Sequence, residues 1–103
     1  MKIPNSFKIA NTTINVKLLD KIDGDLYGKW TDVKNEIELA RTVSIGGGEI
    51  VTLSEEQIYN SFCHELIHCF QFYYNNDYSE AQAQVFANFI REYLSTQNGT
   101  IDI

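Results

Sequence analysis

Two short segments fix most of what this chain can become. Ser54-Glu55-Glu56-Gln57 and Ser79-Glu80-Ala81-Gln82 both have the S-x-x-Q form of a capping box, in which a serine oxygen and a glutamine side chain satisfy backbone groups at a helix start. Leu53 and Ile58 stand where a hydrophobic staple would add to the first box. Helical spacing follows through Phe62, Leu66, Cys69 and Tyr73, until Asn75-Asn76-Asp77 ends the first helix. After the second box Val85, Phe86, Phe89, Ile90, Tyr93 and Leu94 form an apolar stripe that seeks a core.

Upstream of both boxes the period changes from helical to alternating. Phe7 and Ile9 alternate with polar residues, Asn11-Thr12 offers a turn, and Ile14, Val16 and Leu18 alternate again, which predicts a hairpin. Tyr27 to Thr31 reads as a third strand, and Ile37 with Leu39 as a fourth, flanked by Glu36 and Glu38 on a solvated face. Gly46-Gly47-Gly48 breaks the pattern as a mobile connection. Strands followed by helices predict an α+β fold: a small, mostly antiparallel N-terminal sheet of about four strands packed on two C-terminal helices. The 103 residues make one domain, 1–103.

Charge narrows the function classes. Lys and Arg number 8 against 14 Asp and Glu, a net charge of -6, which disfavours a phosphate-backbone or anionic-membrane partner. No segment has the length and apolarity of a transmembrane helix, and Met1 to Ser6 is not followed by the apolar region of a signal peptide, so the expected location is the cytoplasm. Cys63 and Cys69 fall about 9 Å apart along one helix, too far for a disulfide, and are expected as free, buried thiols.

The segment that carries chemistry is His64-Glu65-Leu66-Ile67-His68, an H-E-x-x-H that holds both histidines of the chain. Imidazoles at i and i+4 lie above one another on a helix and can share one Zn²⁺. Glu65 points about 100° away, which frees it to act as general base on a metal-bound water. A catalytic zinc needs a third protein ligand, and Asp77, Glu80 and Glu92 are the candidates within reach. Glu80 fits best, because an antiparallel return brings the start of the second helix to the end of the first.

His64-Glu65-Leu66-Ile67-His68, followed by Ser79-Glu80-x-x-Ala83-x-x-Phe86-Ala87, resembles the gluzincin metallopeptidases, in particular the minigluzincins and the related ImmA/IrrE-type peptidases of mobile elements. The resemblance implies a zinc-dependent hydrolase with His64, His68 and Glu80 as ligands, Glu65 as base and an extended peptide or unfolded protein as substrate. The ImmA/IrrE-type helix often reads E-A-N-x-F-A, and here Gln82 stands at that glutamate; Glu80 lies two positions earlier. The chain therefore follows the minigluzincin spacing or lacks the third ligand. Gluzincins also use a Tyr or His to stabilise the oxyanion, and Tyr59, Tyr73, Tyr74, Tyr78 and Tyr93 remain open for that role. Trp30 is a substrate contact or packs on the sheet.

The rival function is a catalytically silent zinc-binding regulatory module of the same fold. The tail after Leu94, Ser95-Thr96-Gln97-Asn98-Gly99 and then Thr100-Ile101-Asp102-Ile103, offers an extended strip with a free carboxylate that can turn back over the cleft. Some small gluzincins are held latent by their own terminal segments, and the resemblance extends that expectation to this chain.

Overall fold

The computed structural model describes residues 2–75, 79–96 and 99–102. It is an α+β fold in which a sheet lies against two helices. The alternating segments form β1 (Ser6–Ile9), β2 (Thr12–Leu19), β3 (Gly28–Thr31) and β4 (Glu36–Ala40), in the order β1-β2-β4-β3. β1 with β2 and β3 with β4 are antiparallel, whereas β2 and β4 run parallel. β3 is therefore an edge strand. Beyond the four expected strands, β5 (Thr42–Ile45) and β6 (Glu49–Thr52) pair as a second, two-stranded sheet. The triple glycine is the turn of that hairpin, with φ of +82° at Gly47 and +79° at Gly48.

The first hairpin turns one residue earlier than the Asn11-Thr12 expectation. Ile9 pairs with Thr12, so Ala10 and Asn11 form the loop, with φ of +49° and +63°. Two successive positive φ values are the mark of a type I′ turn, whose twist matches that of the strands. On β4, Ile37 and Leu39 are buried as the alternation requires, but Glu36 is not simply solvated. Parallel pairing sets β2 beside it, and Lys17 reaches its carboxylate at 2.9 Å.

Helix α1 spans Glu55–Phe70 and α2 spans Glu80–Thr96, with a single π-helical turn at Gln71–Asn75 between them. The first capping box is complete: Gln57 N–H donates to Ser54 Oγ at 3.1 Å, and Ser54 N–H to Gln57 Oε1 at 2.8 Å. The second is half-formed, because Gln82 N–H donates to Ser79 Oγ while the Gln82 side chain is engaged elsewhere. Ile14, Ile37 and Leu39 of the sheet meet Tyr59, Phe62, Cys63 and Cys69 of α1 and Ala87 of α2 in one core.

The α2 stripe departs from its expectation. Ala83 and Ala87 are fully buried, while Val85, Phe86 and Phe89 are 67%, 46% and 61% exposed. Alanines one turn apart let α2 lie close to α1; Ile90 of the stripe packs against the core as expected, and Val85, Phe86 and Phe89 turn outward. The side chain of Tyr93 lies outside the described residues. Among the described residues no helix is long and apolar enough to cross a membrane.

An alanine in the left-handed region costs roughly 1–2 kcal/mol, part of which asparagine recovers through its local hydrogen bonds. Ala10→Asn should raise the stability by about 0.5–1 kcal/mol, read as a higher urea midpoint with an unchanged slope.

Candidate metal centre

α1 carries His64 and His68 on one face, one turn apart, with ring centroids separated by 4.8 Å. Their Nε2 atoms lie 3.2 Å apart. Glu80, the first residue of α2, brings its carboxylate to both, with Oε2 3.4 Å from His64 Nε2 and Oε1 2.6 Å from His68 Nε2. A tetrahedral ion with bonds of about 2.0–2.1 Å keeps its ligand atoms about 3.3 Å apart. The imidazole pair and the longer carboxylate contact already have that spacing. His64, His68 and Glu80 thus form a group able to hold a metal ion, with ligand atoms all within 4.8 Å of one another.

The outer faces of both rings are fixed by glutamines. Gln71, on the π-turn and 1% exposed, places Oε1 2.9 Å from His68 Nδ1. Its Nε2 donates to the Ser79 carbonyl at 3.2 Å and to Gln82 Oε1 at 2.7 Å. A carbonyl only accepts, so the Gln71 amide can face just one way, and His68 Nδ1 must carry the proton. The Nε2 of His68 is then the nitrogen turned to the centre. Gln84 Oε1 lies 3.2 Å from His64 Nδ1 and supports the same tautomer there. Two imidazole nitrogens and a carboxylate converge, an arrangement that a shared cation between them would bind together. Two imidazoles with one carboxylate are a donor set that suits Zn²⁺, so the residues present fit the expected metal.

Glu65 points away from the ligands, as its place on the helix requires, but it is not solvated. It is 8% exposed and lies under β3. A Cβ at Gly28 would stand 3.1 Å from Glu65 Cγ and 3.3 Å from its Oε2, a tight approach that would make the Glu65 side chain give by a few tenths of an ångström. Burial pushes the Glu65 carboxyl up to about 7, opposed by His64, reinforced by Glu80 and opposed by the Trp30 backbone N–H that donates to it. His64, Glu65 and Glu80 line an open cleft of about 610 Å³ with Tyr27, Gly28, Ser54, Glu56, Gln57, Asn60, Ser61, Gln84 and Arg91.

The other candidates divide clearly. Asp77 and Tyr78 lie outside the described residues, as does the side chain of Tyr93. Glu92 stands about 18 Å along α2 from Glu80 and is not in the converging group. Tyr59 is buried in the core, with its hydroxyl pKa raised by burial and by Cys63. Tyr73 donates to Asn35 Oδ1, and Tyr74 accepts from the Ala10 N–H at 3.2 Å. Trp30 packs its ring on Phe72 and Tyr73, at 6.1 and 6.2 Å.

Cys63 and Cys69 are free and buried; burial raises them to about 11 and about 12, with Arg91 opposing the shift at Cys63. None of the tail residues 99–102 lines the cleft, and Ile101 is 89% exposed. Gln71, Gln84 and Gly28 escaped the sequence reading. Gln71 follows His68 by three positions, on the same helix face, and that spacing was the only signal for it. No family model, curated protein or solved structure matches this chain.

Replacing an outer-shell partner of a metal ligand typically costs 10–100-fold in affinity. Gln71→Leu should weaken zinc binding by about that factor in competition with a chromogenic chelator. Glu65 adds a pH signature to the metal-free protein. Its folded pKa of about 7 stands above the ordinary 4.5, so between these values the folded state holds the proton and the unfolded state does not. Stability from this group is present in acid and is lost as pH rises toward 7. Glu65→Gln should remove that loss, gaining on the order of 2–3 kcal/mol over the parent at pH 8 and little at pH 4.5, measured by urea denaturation in chelator.

Proposed function

We propose that the protein is a zinc-dependent metallopeptidase that hydrolyses peptide bonds of an extended substrate. The observation that carries the reading is the meeting of His64 Nε2, His68 Nε2 and the Glu80 carboxylate at ligand spacing, beside a buried Glu65 with a pKa of about 7. When bound, zinc supplies a Lewis acid that polarises the scissile carbonyl and acidifies water.

The chain's own residues account for the remainder. His64 and His68 turn their Nε2 atoms to the centre because Gln84 and Gln71 hold the opposite ring nitrogens. Glu65, buried beside the histidines and lining the cleft, stands where a carboxylate can take a proton from the attacking water and return it to the leaving amine. The Trp30 N–H fixes one side of that carboxylate.

β3 supplies the substrate rail. Ala40 N–H donates to the Tyr27 carbonyl, so Tyr27, Lys29 and Thr31 turn their backbone groups toward β4. Gly28 turns both of its backbone groups toward the open edge and Trp30 its carbonyl, the Trp30 N–H being taken by Glu65. An extended peptide pairing there adds a strand and lies across the mouth of the cleft. Two buried, unpaired thiols suit a reducing compartment, and the reading extends to a cytoplasmic protein acting on peptides or unfolded chains.

Metal analysis of the purified protein should give one zinc per chain. His64→Ala, His68→Ala and Glu80→Gln should lose it, while Glu92→Ala keeps it. Glu65→Gln should retain zinc and lose cleavage of an unfolded protein such as casein by about 10²–10⁴-fold. Full zinc occupancy with no cleavage by the parent would instead indicate a metal-holding interaction module.

A further inference from the structure

The cleft continues from the metal ligands into the groove between the helices. Glu80 at the start of α2 meets the second half of α1, whereas Arg91 meets Glu56 at the start of α1, so the helices are antiparallel and the groove follows both. Its walls mix polar side-chain ends with about as much carbon surface, Tyr27 included, and the polar ends come largely from α1 and α2. Gln57, Asn60 and Ser61 share one face of α1, Gln84 faces them from α2, and no aliphatic side chain lines the cleft among the described residues. Beside the side-chain nitrogens of Gln57, Asn60 and Arg91, an apolar side chain would strip water and return no hydrogen bonds. A side chain ending in an oxygen acceptor would satisfy them.

Arg91 stands at the far end and is the only Lys or Arg among the lining residues. Its Nη1 is 3.2 Å from Glu56 Oε1, with the arginine side chain 30% and the glutamate 66% exposed. Arg91 is held between the helices and Glu56 lies at the rim. An exposed ion pair contributes little, so the Glu56 carboxylate can give way to another acceptor.

We propose that this groove is a specificity subsite for a substrate group ending in an acceptor oxygen: a glutamate or glutamine side chain, or a free C-terminal carboxylate, received by Arg91. Glu56 holds the position of that group while the subsite is empty. The inference rests on the peptidase reading, and its test reads binding, not turnover.

The probe is a set of fluorescent, C-terminally amidated peptides, identical except for one residue that is Glu, Gln, Leu or Lys, with that residue scanned through every position. A Leu peptide with a free carboxylate completes the set. Anisotropy is measured on zinc-loaded Glu65→Gln protein. At one position Glu and Gln should bind about 10-fold tighter than Leu or Lys. If only the free-carboxylate peptide gains, the received group is the chain end. Arg91→Gln should remove the gain with zinc content and circular dichroism unchanged, and Glu56→Gln should tighten the favoured peptide by about threefold or more.

Tightest binding of Leu, or of Lys drawn by the net charge of -6, overturns the subsite, as does a preference that survives Arg91→Gln or no binding by any peptide. Selective binding combined with a parent protein that cuts nothing would sink the peptidase reading and leave the subsite standing.

Discussion

The metal centre depends on one buried amide. Gln71 joins three segments at once: its oxygen receives the Nδ1 proton of His68, and its nitrogen reaches the Ser79 carbonyl and Gln82 on the far side of the chain reversal. Ser79 is the residue before Glu80. The contact that sets the tautomer of one ligand therefore also anchors the backbone that delivers another. It explains why Gln82 abandons the second half of its capping box, since its side-chain oxygen is engaged by Gln71. A carboxylate at position 71 would accept from His68 but could not donate to the Ser79 carbonyl. An amide performs both tasks at one buried position.

Glu65 has a different dependence. Its place on α1 removes it from the ligand set, but the edge strand decides its chemistry. β3 covers the carboxylate, a backbone N–H from Trp30 holds it, and the missing side chain at Gly28 provides the clearance. The same strand offers the open backbone edge at Gly28. One stretch of backbone therefore both shields the Glu65 carboxylate and leaves an open sheet edge.

α2 is amphipathic in an unexpected sense. Its close approach to α1 is made by Ala83 and Ala87, while Phe86 and Phe89, which its periodicity marks as core, face outward. The polar residues Gln84 and Arg91 share the side nearest the cleft. A larger residue at either alanine would push Glu80 away from the histidines, so the helix that brings Glu80 to the candidate centre is packed by its smallest side chains.

The sequence by itself determined whatever depends on local spacing. Capping boxes placed both helix starts, alternation placed the first four strands, and i,i+4 geometry put His64 and His68 on one face before any tertiary contact. β5 and β6 were not legible, because four-residue strands with little burial carry a weak alternation signal. The turn at Ala10 was missed because the positive φ there is imposed by the strand pairing, not by residue type. Only the tertiary structure decided the parallel β2–β4 pairing, the arrival of Glu80 at both histidines, the burial of Glu65 under β3, and the role of Gln71. Each of these is a contact between segments distant in sequence or across a chain reversal. Such contacts are fixed by competition among all packing partners at once, which no local period encodes.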